Sequence, residues 1–133
     1  MMYFTTKQNK NYFTTTAYVD NESVCKCVIS RDTDKWTISS WYTEKKHQHH
    51  GYGKLTLYEC LSYMSKRFPK PEHIKYVWNG ANQYVFDWLK ENFDAVCDCP
   101  IAIQKYNSDD DWSSHIYNLD KNKFFKYFSK FSS

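Results

Sequence analysis

Gly51-Tyr52-Gly53-Lys54 is the stretch whose residue types and spacing point most directly to chemistry, and His47, His49 and His50 stand just ahead of it. It falls between a segment of strand character and one of helical periodicity. The first turn of a helix has N–H groups without intrahelical partners, and its dipole favours anions. Glycines let a backbone approach a phosphate closely, and a strand–loop–helix element aims those N–H groups at one point. Lys54 and the histidines add positive or hydrogen-bonding character. The expected chemistry is binding of a phosphate or pyrophosphate. The third glycine of a dinucleotide fingerprint is absent. Residues 47–56 also lack the two glycines, five apart and ending in Gly-Lys-[Ser/Thr], of a nucleoside-triphosphate loop.

The elements that must position this loop can be read from periodicity. Residues 11–19 are rich in β-branched and aromatic types, Asp20-Asn21-Glu22 supplies turn residues, and residues 23–30 read as the partner strand of a hairpin. A turn at 31–34 leads to a further strand from Trp36 to Tyr42. Its alternation breaks where Trp41 and Tyr42 follow one another, which reads as a bulge or the end of pairing. Three or four antiparallel strands in a meander are expected. After a polar loop at 43–50 and the glycines, Leu57, Leu61, Met64 and Phe68 recur at helical spacing, and that helix must end before Pro69. Residues 73–78 read as a strand, 81–92 as a helix, and 93–98 and 101–106 as short strands around Pro100. The fold class is mixed α+β (α/β), with a mostly antiparallel central sheet flanked by helices.

Length and composition narrow the function classes. The 133 residues suit one core, and 20% aromatic content lets a few large side chains build it. Eighteen Lys+Arg against 15 Asp+Glu leave a net charge of +3, too mild to argue nucleic-acid binding by itself. No stretch approaches the ~20 apolar residues of a membrane span, so a soluble, cytoplasmic protein is expected. Of five cysteines, four form the Cys-x-Cys pairs Cys25/Cys27 and Cys97/Cys99. That spacing is not the Cys-x2-4-Cys of a zinc site, so no metal is assigned and buried free thiols are expected. Past Ser108-Asp109-Asp110-Asp111, Asp120 can cap a short helix with Phe124, Phe125, Phe128 and Phe131 on one side. Lys121, Lys123, Lys126 and Lys130 occupy the rest of that helix. This tail, 108–133, is read apart from a domain at 1–107. Packing on the domain and service as an arm that binds a partner, a membrane or nucleic acid are both open to it.

One resemblance draws these elements together. The GNAT acetyltransferase family carries [Arg/Gln]-x-x-Gly-x-[Gly/Ala] between its fourth strand and the following helix, and this chain reads Gln48-His49-His50-Gly51-Tyr52-Gly53 in that setting. The family continues with a helix, a strand and a second helix that has an Asn near its start and ends in Gly-Phe. Here Asn79-Gly80-Ala81-Asn82 opens the second helix, and Asn92-Phe93 stands at the Gly-Phe position. The resemblance covers roughly residues 11–106. It implies a GNAT-like domain that binds acetyl-CoA or another acyl-CoA and transfers the acyl group to an amine. It also implies that backbone N–H groups of Gln48, His49, His50, Gly51, Tyr52, Gly53 and Lys54 bind the pyrophosphate. The main chain of Trp41, Tyr42 and Thr43 would pair with the pantetheine amides, and Asn79 or Asn82 would lie near the pantetheine arm, unless they serve as helix N-caps.

Two departures from the family pattern matter. The family has two helices between its first two strands, and no room for them exists between residues 3 and 23. The tyrosine that protonates the leaving thiolate corresponds to Trp88, a poor proton donor, with Tyr84 one helical turn earlier. Glu44 and His47, just past the strand end, are the candidates to deprotonate an ammonium. Three functions follow as expectations: an acetyl-CoA-dependent N-acyltransferase, a catalytically inactive GNAT-like protein that binds or inhibits a protein partner, or a nucleobase-modifying relative. The acceptor is left open.

Overall fold

In the structure, a computed structural model that describes residues 1–78, 83–97 and 115–129, the chain divides into units at Met1–Pro71 and Glu72–Ser133. The first unit is an antiparallel meander of β1 (Met2–Asn9), β2 (Tyr12–Val19), β3 (Glu22–Arg31) and β4 (Lys35–Thr43). A 3-10 turn at Lys45–His47 and the helix α1 (Tyr52–Ser65) follow. Asp20 and Asn21 close the β2–β3 hairpin at φ 51° and 66°. Two consecutive left-handed residues make the turn whose twist matches the flanking strands, and Asp and Asn tolerate that backbone best after glycine.

β1 was not expected as a strand. Its Thr, Lys, Gln and Asn side chains give little apolar alternation, yet it pairs with β2 from Met2↔Val19 to Asn9↔Tyr12. The connection is the two residues Lys10-Asn11, so the strands are joined with no helix between them.

The buried face of the meander carries Phe13, Thr15 and Ala17 from β2, Cys25, Cys27 and Ile29 from β3, and Trp36 and Ile38 from β4. α1 covers it with Leu57, Cys60, Leu61 and Met64. Thr15 is fully buried, and its hydroxyl is satisfied by that of Thr6 at 2.8 Å. Cys25 and Cys27 share a face, as i and i+2 on a strand must, and burial pushes the Cys27 thiol well up. Two bulges adjust the strands. Val24 is the extra residue opposite Ala17/Tyr18, so Val24 and Cys25 are both buried. Ser39 is the extra residue opposite Val28/Ile29, and its hydroxyl donates to the Val28 carbonyl at 3.2 Å. The break expected at Trp41-Tyr42 therefore falls two residues earlier.

In the second unit, β5 (His73–Trp78) pairs antiparallel with β7 (His115–Leu119), which also pairs with β6 (Val96–Cys97). β7 belongs to the stretch read as a separate tail, and it was not expected; it places that stretch inside the unit's sheet. α2 (Gln83–Phe93) and α3 (Lys121–Ser129) close the unit. Asp120 caps α3 by accepting the Lys123 N–H at 3.0 Å, and its own N–H donates to the Phe93 carbonyl at 2.7 Å. Phe93, Phe124 and Phe128 are buried together, with ring centroids 5.2 Å (Phe93–Phe124) and 4.9 Å (Phe124–Phe128) apart. Lys121 pairs with Glu72 and Lys123 with Asp94. The helical tail is thus packed by its phenylalanines. The strand expected at 101–106, Cys99 and Phe131 lie outside the described residues.

The α+β class and the antiparallel pairing stand as expected. Phe93→Ala should destabilise the protein by about 3–5 kcal/mol, the range for emptying a buried aromatic site. Asp120→Ala should cost about 1 kcal/mol through loss of the cap. Urea denaturation followed by circular dichroism checks both, and equal effects would contradict the packing described.

Candidate functional site

The loop between β4 and α1 is fastened at several points. Glu44 N–H extends the ladder by donating to the Val24 carbonyl at 2.8 Å, and the Glu44 carbonyl accepts the His47 N–H at 2.8 Å. The Gln48 side-chain amide turns back to donate to the Thr43 carbonyl at 3.1 Å. Lys46 meets the Glu22 carboxylate at 2.7 Å, with His47 Nε2 4.0 Å from the same oxygen. The Lys46 ammonium holds the Glu22 carboxyl below its ordinary value. The rings of His47 and His50 lie 6.2 Å and 5.6 Å from that of Tyr52.

The two glycines do different work. Gly51 is the N-cap of α1 at φ 81°, a left-handed backbone that glycine adopts without strain, and a Cβ there would meet nothing within 4 Å. Gly53 is inside the first turn, where a Cβ would stand 3.4 Å from Trp41 Nε1 and 3.5 Å from Thr43 Oγ1. Those are ordinary van der Waals contacts, and the Trp41 indole N–H donates to the Gly53 carbonyl at 2.9 Å. Among the described residues no side chain caps this helix, and no acid lies in its first turn. The Leu55 N–H is the donor that reaches back to the Gly51 carbonyl, at 3.3 Å, so the N–H groups of Tyr52 and Gly53 come before that helical bond. A helix start whose first N–H groups lack intrahelical partners is suited to a phosphate oxygen. The residues fit the phosphate end of a coenzyme A.

The other expected site residues are placed as follows. Trp41 and Thr43 lie on the α1 side of β4 because the Ser39 bulge turns them there, and Thr43 Oγ1 donates to Cys25 Sγ at 3.3 Å. Tyr42 points to the other side and is 55% exposed. Glu44 is exposed at the start of the 3-10 turn. Tyr84, on α2, is 66% exposed. Trp88, one turn on, packs edge-on against Phe93 at 5.3 Å and Tyr127 at 5.6 Å, and its carbonyl accepts the Asn92 side chain at 2.9 Å. Asn79 and Asn82 lie outside the described residues. Three participants were not anticipated: Glu22, the Trp41 side chain, and Thr56, whose hydroxyl donates to the Tyr52 carbonyl at 2.7 Å. Each acts through a bond to a residue outside its own sequence pattern, except Thr56, where Thr four residues after Tyr52 was a readable signal.

Trp41→Phe keeps the ring and removes the donor, so it should cost about 1 kcal/mol in urea denaturation. No change would mean the bond does not hold the helix start. Glu22→Gln should speed amide hydrogen exchange at His47 and Gln48 at neutral pH. Because the Glu22 pKa is lowered in the folded protein, its contribution is present above the ordinary value of 4.5 and is lost as the pH falls through the lowered value. The difference between wild type and variant should therefore disappear in acid; a difference that persists there would contradict the pairing.

No sequence-family profile matches the chain, and no curated protein matches it. Solved structures do match in shape. PaiA N-acetyltransferase from Thermoplasma acidophilum, in complex with coenzyme A, aligns with a TM-score of 0.58 at 16% identity, over 83% of this chain and 61% of that one. A GNAT family acetyltransferase from Elizabethkingia anophelis with acetyl-CoA bound aligns at 0.60 and 13% identity, over 83% and 76%. A Bacillus subtilis acetyltransferase in complex with CoA aligns at 0.60 and 13%, over 90% and 97%. The chain thus spans less than two thirds of the length of the PaiA enzyme and nearly all of the Bacillus one. At these identities the likeness speaks for the fold, and the fold is that of the GNAT acetyltransferases, trimmed to a two-residue turn between its first two strands.

Proposed function

We propose that the chain binds acetyl-CoA or another acyl-CoA at residues 48–54 and transfers the acyl group directly to an amine. The observation that carries this reading is the start of α1: Gly51 in a left-handed backbone, no side-chain cap among the described residues, no acid in the first turn, and nothing within 4 Å of where a Gly51 side chain would begin. The shared fold with CoA-bound acetyltransferases supports it. Backbone N–H groups of Tyr52 and Gly53 would hold pyrophosphate oxygens, and Lys54 would add charge. A bound acyl-CoA supplies an acyl group already activated as a thioester. What the chain adds is position and proton transfer. The exposed Glu44 carboxylate would take a proton from the ammonium acceptor, and Tyr84 Oη would give one to the departing sulfur. Trp88 is assigned to packing. In this reading residues 1–107 carry the cofactor and 108–133 complete the second unit. A reducing, cytoplasmic setting suits the buried free thiols Cys25, Cys27 and Cys60.

A second reading, a GNAT-like binding protein without turnover, is favoured by Trp88, whose edge-on packing occupies the position of the usual proton donor. The acceptor (small amine, protein lysine, N-terminus or nucleobase) separates these readings only by assay.

Isothermal titration should show saturable acetyl-CoA binding, and no heat up to about 1 mM, the upper end of ordinary substrate constants, would overturn the proposal. Gly51→Glu should abolish binding, and Lys54→Glu, at a position with ordinary helical backbone, should weaken it about tenfold. Tyr84→Phe should leave binding intact and lower turnover about 100-fold or more, the scale of a lost general acid. Binding with no turnover on any amine class would select the second reading.

A further inference from the structure

The side of the meander turned away from α1 carries a second pattern. The strand registers align its residues in cross-strand rows: Tyr3–Tyr18–Ser23, Thr5–Thr16–Lys26–Tyr42, Lys7–Thr14–Val28–Ser40 and Asn9–Tyr12–Ser30–Thr37. These rows contain four tyrosines, two lysines and a ground of hydroxyls, with one aliphatic side chain, Val28, and no carboxylate. Tyr12 is 49% exposed, Tyr3 is 40% exposed, and Lys7 and Lys26 are exposed. Tyr3 and Tyr18 stack on one another with centroids 4.8 Å apart and planes within 12°, which leaves the outer face of each ring for a further stacking partner. Three of the neighbouring turn and strand-end carboxylates are already engaged: Asp20 by the N-terminal amine, Glu22 by Lys46 and Asp32 by Lys35. The two-residue β1–β2 turn leaves no helix between those strands to cover the face.

We propose that this face binds single-stranded nucleic acid. A four-stranded sheet that presents aromatic rings is a platform on which bases stack, and cations beside the rings take the phosphates. The face suits that chemistry better than a protein interface, whose centre is apolar and poor in lysine. Four strands at about 4.8 Å spacing span roughly 14 Å, room for two or three nucleotides. Lys26 sits between Thr16 and Tyr42, placing its ammonium within one row of two rings. The site is separate from the acyl-CoA loop, and the inference holds or fails without that reading.

Fluorescence anisotropy of the full chain with labelled 15-nucleotide oligo-U and oligo-dT tests it. Binding is expected to weaken about sevenfold between 50 and 200 mM salt, the dependence for two phosphate contacts on a single strand. Lys26→Glu should flatten that salt dependence, and Tyr12→Ala should weaken binding about fivefold or more at both salts. The RNA and DNA arms decide whether a 2′-hydroxyl is read. Gly51→Glu should leave oligonucleotide binding unchanged, which keeps this outcome distinct from that of the cofactor. Absence of binding up to about 100 μM, weaker than ordinary non-specific affinity, would overturn the proposal. So would binding unaffected by both substitutions in variants with native circular dichroism, or sedimentation showing that the same substitutions instead dissolve a dimer.

Discussion

The Trp41 indole N–H on the Gly53 carbonyl is the contact on which the geometry of the candidate site depends. By itself a neutral hydrogen bond of this kind is worth about 1 kcal/mol, a small share of a domain's stability. Its importance lies in what it joins. The Ser39 bulge turns Trp41 toward the helix side of β4, where the indole reaches the main chain of Gly53. The first turn of α1 is thereby held at the end of the strand. The N–H groups of Tyr52 and Gly53, which precede the first helical bond from Leu55 to Gly51, are set with it at the end of β4. A methyl at Gly53 would come into van der Waals contact with Trp41 and Thr43; one at Gly51 would meet nothing but would sit on a left-handed backbone. Backbone conformation thus makes Gly51 the more constrained of the two.

The second unit is governed by aromatic packing. Phe93, Phe124 and Phe128 form its buried centre, Trp88 and Tyr127 pack on them, and Asp120 starts α3 so that its apolar side faces Phe93. The use of Trp88 in this cluster changes how α2 can be read. A residue fixed edge-on between two rings is a packing element. Cation–carboxylate pairs with Glu72 and Asp94 occupy Lys121 and Lys123, which takes two of the charges that made the tail look like a basic arm.

Much of this was legible from residue order. The Asp20-Asn21 turn, the β5 strand at 73–78, the helix after Gly53 and the glycine-containing loop all follow from local signals: left-handed tolerance, alternation, 3.6-residue spacing and uncapped N–H groups. β1 escaped notice because Thr5, Thr6, Lys7 and Gln8 carry no apolar alternation, and only pairing with β2 makes them a strand. β7 escaped because five residues beyond an acidic run are too few for a periodic signal. The bulge was sensed but misplaced, since the aromatic doublet at Trp41-Tyr42 marks its consequence while the extra residue is Ser39. The bonds that fasten the loop, Trp41 to Gly53 and Glu22 to Lys46, join residues 12 and 24 positions apart, and no local pattern records such partners.

The central claim is that the backbone at the start of α1 is an anion site. Titration of the 15N-labelled protein with coenzyme A, followed by two-dimensional NMR, tests it most directly, since each amide reports for itself. The account predicts that the largest shifts fall on the amides of Gly51, Tyr52 and Gly53, with a smaller response at the Trp41 indole N–H. Shifts confined to other parts of the chain, or none at saturating ligand, would contradict it.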